Sequence, residues 1–160
     1  TMLARVLQIP VVAVGSLDLV AHPLRHTGRM IATVLDARRS EVFYAFYQPV
    51  PGGVQRLTEP AVATPADVAA EIEGQREETL IAGDGVVAHP DVFRALDRTE
   101  YAGPEFDAPS PGSLLELTVH RAEREEFSQP GEIAPLYLRG ADAQINWEQR
   151  SRVRTAGAGS

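Results

Sequence analysis

The stretch from Met30 to Tyr47, Met-Ile-Ala-Thr-Val-Leu-Asp-Ala-Arg-Arg-Ser-Glu-Val-Phe-Tyr-Ala-Phe-Tyr, constrains the fold of this chain more than any other. Two apolar runs flank a short charged turn. Thr33, Val34, Val42, Phe43, Tyr44, Phe46 and Tyr47 are β-branched or aromatic, which predicts a β-hairpin. Both faces of the second run are apolar, and such a strand must be covered on both sides. The hairpin is therefore expected inside a sheet and not at its edge.

The segments that follow give the hairpin its context. Val54 to Ala63 predicts a third extended run after the turn Pro49-Val-Pro-Gly-Gly53. Thr64 as N-cap and Pro65 at the first helical position then start a helix whose apolar face carries Val68, Ala69 and Ile72, and Glu73-Gly74 is expected to end it. Thr79 to Gly83 reads as a short buried strand. Val86 to Leu96 has helical spacing broken at Pro90, and Arg98 to Ala102 is extended. Beyond the Pro/Gly-rich loop Gly103 to Gly112, Ser113 to Glu126 predicts an amphipathic helix with Leu114, Leu117, Val119 and Ala122 as its stripe. Ser113 and Glu116 suggest a capping box at its start. By analogy, the order βββαβαβα is that of a ribonuclease-H-like lobe, an antiparallel meander that continues into a parallel sheet. The expected class is α/β with a mixed sheet.

The front of the chain is less complete. Thr1 to Gln8 resembles the last turns of a helix, Ile9 to Gly15 a strand and Ser16 to Ala21 another helix, before the polar link His22 to Arg29. One strand between two helices cannot satisfy its own edges. Residues 1–26 are therefore expected to be the remnant of a first lobe whose other half lies upstream or on another chain. Residues 27–130 would form the second lobe, 131–147 a segment packing back on both, and 148–160 a disordered tail, since Thr155-Ala-Gly-Ala-Gly-Ser160 has nothing to bury.

Composition excludes more than it assigns. All 15 basic residues are arginine, so there is no lysine for a phosphate-binding loop or a Schiff base. The absence of cysteine removes disulfides, thiolate metal sites and a thiol nucleophile. A net charge of −7 argues against a broad nucleic-acid surface, although Arg150, Arg152 and Arg154 give the tail a local basic character. No apolar run approaches the roughly 18 residues of a membrane span, no signal-peptide pattern precedes the core, and a cytoplasmic location is expected.

Four constellations offer chemistry. His22-Pro-Leu-Arg-His26 has the spacing of two metal ligands on a helical face, but Pro23 disfavours a helix there, so a solvated loop is expected. Asp36 closes a strand just before the hairpin turn, so a nucleotide role for its carboxylate has to be weighed. The turn after it has no glycine to bring N–H groups to a phosphate, so Asp36 is expected to fix the turn with Arg38 or Arg39. Gly83-Asp84-Gly85 follows a strand and suggests a tight strand-to-helix connection before an anion site. Ser113, His120 and Asp107 are triad residue types without a Gly-x-Ser-x-Gly elbow.

Three segments, Ile9-Pro-Val-Val-Ala-Val-Gly-Ser-Leu17, Val34-Leu-Asp-Ala-Arg-Arg-Ser-Glu-Val-Phe-Tyr-Ala-Phe-Tyr47 and Pro135-Leu-Tyr-Leu-Arg139, give the chain a resemblance to the bacterial TsaB (YeaZ) family. The second is the most specific, and the family's opening strands are absent here. The resemblance implies two ribonuclease-H-like lobes of the actin and sugar-kinase superfamily. It also implies a non-catalytic role beside the catalytic paralogue TsaD and the ATPase TsaE in making threonylcarbamoyladenosine on tRNA. In that setting Asp36, Arg38, Glu41, Tyr137 and Arg139 are structural hallmarks. ATP and metal belong to the catalytic partner and none to this chain, and neither nucleic acid nor membrane is contacted directly. Met2, Leu3, Arg5 and Val6 of the first-lobe helix are candidate partner contacts or core residues, and a homodimer through the same lobe is the other arrangement. The rival from another class is an active nucleotide- or metal-dependent transferase or glycoprotease-like enzyme of that superfamily.

Overall fold

The computed structural model describes residues 2–128. The expectations for 131–147, for the tail 148–160 and for Tyr137 and Arg139 lie outside the described residues. Six strands form one mixed sheet. The hairpin strands β1 (Met30–Asp36) and β2 (Val42–Val50) pair antiparallel, Ile31 opposite Tyr47 and Asp36 opposite Val42. β2 also pairs with β3 (Gly53–Arg56) and β4 (Ala61–Ala63). On its other side β1 runs parallel to β5 (Thr79–Ala82), and β5 parallel to β6 (Thr99–Tyr101), for an order β3-β2-β1-β5-β6.

The period-2 alternation of β1 divides the core between the two faces of the sheet. On one face Met30, Ala32 and Val34 join Val42, Phe46 and Ile81. Three helices cover them: α3 (Pro65–Gln75) through Val68 and Ile72, α4 (Asp84–Ala88) through Val86, and α5 (Pro90–Phe93) through Phe93. On the other face Ile31, Ala45, Tyr47 and Ala82 meet Leu17, Val20 and Ala21 of α2 (Ser16–Ala21) and Leu24 of the 3-10 turn His22–Leu24. The hairpin is thus covered on both sides, as its composition requires. Thr33 is fully buried because its hydroxyl donates to the Ala45 carbonyl, 3.3 Å away.

Several boundaries differ from the sequence reading, each for a local reason. The third extended run is two strands, because the Thr58 hydroxyl accepts the Phe46 N–H (3.1 Å) in place of a backbone carbonyl and Pro60 has no N–H to offer a ladder. α3 runs through Gly74 and closes at Arg76, whose φ of +56° fills the left-handed C-terminal position usually given to glycine. The apolar spacing after Gly83 is divided into α4 and α5 at His89, where Pro90 begins the second helix. Helix α6 (Pro111–Glu123) starts two residues before Ser113: Pro111 holds the first position and the Ser110 hydroxyl caps it by accepting the Gly112 N–H. Ser113 is instead buried in the first turn. Ile9 to Gly15 forms no strand. Among the described residues its bridge joins Val11 to Ser128, since an extended run becomes a strand only where a partner supplies the ladder.

Candidate functional site

The carboxyl ends of the parallel strands bring the chemically distinctive residues together. This is the edge of an open α/β sheet at which ligands usually bind. Asp36 ends β1, the Gly83-Asp84-Gly85 turn follows β5, and Asp107 lies beyond β6. The Asp36 N–H donates to Asp84 Oδ1 (2.8 Å), and Asp36 Oδ1 accepts the Arg38 N–H (3.0 Å). The Asp84 N–H in turn donates to the Asp107 carbonyl (2.9 Å). The Tyr101 hydroxyl donates to Asp107 Oδ1 (2.6 Å), and Arg94 lies 5.7 Å from the centre of the Tyr101 ring. Partial burial first, and then the Asp107 hydrogen bond, push the Tyr101 phenol up to about 12.

Steric fit explains both glycines of the turn. A Cβ at Gly83 would lie 2.0 Å from the Val34 carbonyl oxygen, and one at Gly85 would lie 2.8 Å from Val34 Cγ1. Gly83 also has φ +113°, a region closed to other residues. The turn packs its backbone onto β1, and its leading carboxylate and N–H serve the neighbouring turns. These groups make a rigid, internally hydrogen-bonded edge.

The loop between β1 and β2 has unusual backbone geometry. Arg38, Arg39 and Ser40 have φ values of +62°, +53° and +59°, three successive left-handed residues with no glycine or asparagine among them. Each position costs about 1–2 kcal/mol, so the turn stores roughly 3–6 kcal/mol. A ring of hydrogen bonds holds it: Ala37 N–H to Glu41 O (2.9 Å), Glu41 N–H to Arg38 O (3.1 Å) and Arg38 N–H to Asp36 Oδ1 (3.0 Å). Ala37 is buried and the three residues after it are exposed. Asp36 thus grips the turn through the Arg38 backbone. The sequence gives no sign of the backbone geometry, since it lacks the residues that normally mark positive φ.

The other polar groups are structural ties. Asp18 on α2 accepts the Tyr47 hydroxyl (2.9 Å) and two nitrogens of Arg56 on β3 (2.8–3.2 Å). Burial foremost, with the Asp18 charge, raises the Tyr47 phenol. Tyr44 donates to Glu71 on α3 (2.8 Å), and burial plus that bond bring it up to about 12. Arg29 pairs with Glu100 and, at 3.4 Å, with Glu78.

His22 is buried, which corrects the expectation of a solvated loop there. The turn containing Pro23 continues α2, and His22 Nε2 meets Glu116 Oε2 of α6 at 3.0 Å, with Arg25 on the same oxygen at 3.1 Å. The His22 hydrogen bond, followed by the Arg25 charge, lowers the Glu116 pKa. His26 is exposed, His89 joins α4 to α5, and His120 faces Glu123 on α6. Among the described residues, no group of three or more His, Asp or Glu side chains could hold a metal ion. Ser113 is likewise remote from a triad: it sits in the first turn of α6, while Asp107 serves Tyr101.

In α1 (Met2–Leu7), Leu3 and Val6 are 75% and 74% exposed. The side chains of Met2 and Arg5 lie outside the described residues. On α6, Leu114 and Val119 of the expected stripe are also exposed, as is Leu115 beside them. No helix among the described residues is long and apolar enough to cross a membrane.

These features define a mixed α/β protein, helices on both faces of a sheet ordered 3-2-1-5-6, with a rigid carboxyl edge. No family model matches the chain. It is 27% identical over 147 residues to the tRNA threonylcarbamoyladenosine biosynthesis protein TsaB of Bacillus subtilis (strain 168), covering 91% of this chain and 62% of that protein. Its fold matches YeaZ from Pseudomonas aeruginosa with a TM-score of 0.67 and 27% identity, over 86% of this chain and 62% of the other. A second structure, an uncharacterized protein with similarity to peptidase YeaZ from Pseudomonas aeruginosa, matches with the same score at 28% identity, over 86% and 63% of the two chains. The chain is therefore a distant homologue of the TsaB/YeaZ proteins over most of its length, and it spans less than two thirds of the relatives it matches.

Proposed function

We propose that this protein is a non-catalytic subunit that supports a catalytic paralogue of the TsaD type in forming threonylcarbamoyladenosine beside the tRNA anticodon, with the ATPase TsaE joining the cytoplasmic assembly. The observation that carries this reading is the likeness to TsaB across 91% of the chain. On this reading residues 27–130 are a ribonuclease-H-like lobe of the actin and sugar-kinase type. The exposed Leu3 and Val6 of α1 contact the partner, and Met2 and Arg5 are candidates for the same contact. ATP and metal are held by the catalytic subunit.

The carboxyl edge supports the same view. Gly83 and Gly85 are committed to contact with Val34, and the Asp84 carboxylate and N–H are committed to Asp36 and Asp107. A phosphate cradle needs such groups pointed at the ligand. The test is size-exclusion chromatography of the chain with the purified TsaD paralogue of its own organism, together with ATP titration of the chain alone. Co-elution without ATP binding is expected. Tight, magnesium-dependent ATP binding by the chain alone, abolished in Asp36→Asn, overturns the reading in favour of an active enzyme. Light scattering of the chain alone separates a homodimer from a monomer awaiting its partner.

A further inference from the structure

We infer that α6 is a hinged arm, latched to the rest of the protein by Glu116 and able to open as a unit while the sheet and its other helices stay folded. The other long helix, α3, is held by apolar packing, with Val68 and Ile72 inside the core on one face of the sheet. α6 is attached differently. Among the described residues none of its side chains joins the apolar core on either face. Ser113 is its buried residue, and Leu114, Leu115 and Val119 are exposed.

Polar ties hold the helix at two places. Near its start, Glu116 Oε2 meets both His22 Nε2 (3.0 Å) and Arg25 (3.1 Å). That clamp has a firm base, since the His22 side chain is 3% exposed and Arg25 also donates to the His22 carbonyl (3.1 Å). Towards its end and beyond, Arg121 donates to the Ala13 carbonyl and the Ser128 N–H to the Val11 carbonyl (2.7 Å). The segment from Ile9 to Gly15 lies outside the sheet and has no buried residue, so these ties join α6 to another peripheral stretch. Attachment to the folded core then falls to the Glu116 clamp and Ser113. Ahead of the helix, Asp107 is fixed by the Asp84 N–H (2.9 Å) and the Tyr101 hydroxyl (2.6 Å), while Ala108 and Pro109 are exposed and form the pivot. A detached helix of 13 residues is marginal in water, so opening frees its amides to exchange.

Hydrogen exchange of the full chain, read by mass spectrometry across low urea concentrations, tests this. Amides of α6 are expected to exchange at least about a hundredfold faster than those of β1 and β2. Their exchange should depend little on urea, because the opening exposes little surface. Glu116→Ala keeps the helix propensity high and should speed exchange in α6 by about tenfold, since it leaves the buried His22 nitrogen without its partner. Glu123→Ala makes the same change at a residue that pairs with His120 on the same helix (3.6 Å), and should alter exchange by less than about twofold. Exchange of α6 at the rate and urea slope of β1 and β2 overturns the arm. An equal effect of the two variants overturns Glu116 as its latch.

Discussion

Replacing Gly83 with alanine tests whether the turn after β5 is built for packing or for a ligand. The added methyl would sit 2.0 Å from the Val34 carbonyl oxygen, well inside any van der Waals contact, and that oxygen belongs to the backbone of the central strand. Two costs combine. A residue other than glycine at φ +113° and ψ 158° is strained by about 1–3 kcal/mol, and forcing the turn away from β1 adds about 1–3 kcal/mol. The sum, roughly 2–6 kcal/mol, is a large share of the 5–15 kcal/mol typical of a domain.

Two other glycines serve as internal standards. Gly85→Ala meets Val34 Cγ1 at 2.8 Å within a helical backbone, so it should cost less, about 1–2 kcal/mol. Gly74→Ala, inside α3 with nothing within 4 Å, should stabilise by about 0.5–1 kcal/mol. In urea unfolding followed by circular dichroism, the midpoint for Gly83→Ala should fall by about 1–3 M at a typical m-value near 2 kcal/mol/M, with m unchanged. The Gly74→Ala midpoint should rise. A Gly83→Ala protein as stable as the wild type would refute the packing argument and return the turn to candidacy as an anion site.

Other perturbations follow from the same geometry. Ser40→Gly should raise stability by roughly 0.5–1 kcal/mol, the left-handed penalty less the extra chain entropy of glycine, visible as a melting temperature higher by about 1–4 °C. Asp18→Ala leaves the buried Tyr47 hydroxyl and Arg56 without their shared acceptor and should cost about 1–3 kcal/mol in the same urea assay. The tie of Glu116 to His22 and Arg25 contributes fully above the ordinary glutamate pKa of 4.5 and is lost as the pH falls through the lower folded value. Glu116→Gln should therefore flatten the acid side of the stability profile in that window. The raised phenols of Tyr44 and Tyr101 favour the neutral form, so their stabilisation is complete below the ordinary value of 10 and is lost as the pH rises towards about 12. Ultraviolet titration should show them ionising only there, and Tyr101→Phe should remove one of the late steps.

What the sequence reveals and what it hides divide along the range of the interactions. The hairpin is legible because two runs of β-branched and aromatic residues need no distant partner to be recognised, and the start of α3 because Thr64-Pro65 acts within one turn. The end of α3 is not, since Arg76 occupies a left-handed position without the glycine that signals one. The fate of Ile9 to Gly15 depends on Ser128, over a hundred residues away. The stripe of α6 is legible as a stripe, but nothing local says whether it is covered. At the site, Asp36 was recognisable as a turn-fixing residue, while its second partner, Asp84, comes from 48 residues further along and only the parallel pairing of β1 with β5 brings it there.

Glycine and arginine exchange their usual places at this edge of the sheet. Glycine stands at 83 and 85, where a side chain would collide with the backbone of β1, and it is absent from 38–40, where the backbone conformation calls for it. Were the edge shaped for stability alone, both sets of positions would carry glycine. Were it shaped to hold a phosphate, the hairpin turn would need glycines, which it lacks. The remaining arrangement fixes the β5 turn rigidly against β1 and uses Asp84 and Asp36 to anchor the strained hairpin loop on that base. It follows that the strain belongs to the backbone and should be relieved most cleanly at Ser40, where a glycine removes the left-handed penalty and no guanidinium contact. A Ser40→Gly protein whose urea midpoint is no higher than that of the wild type would show that the turn stores no such strain.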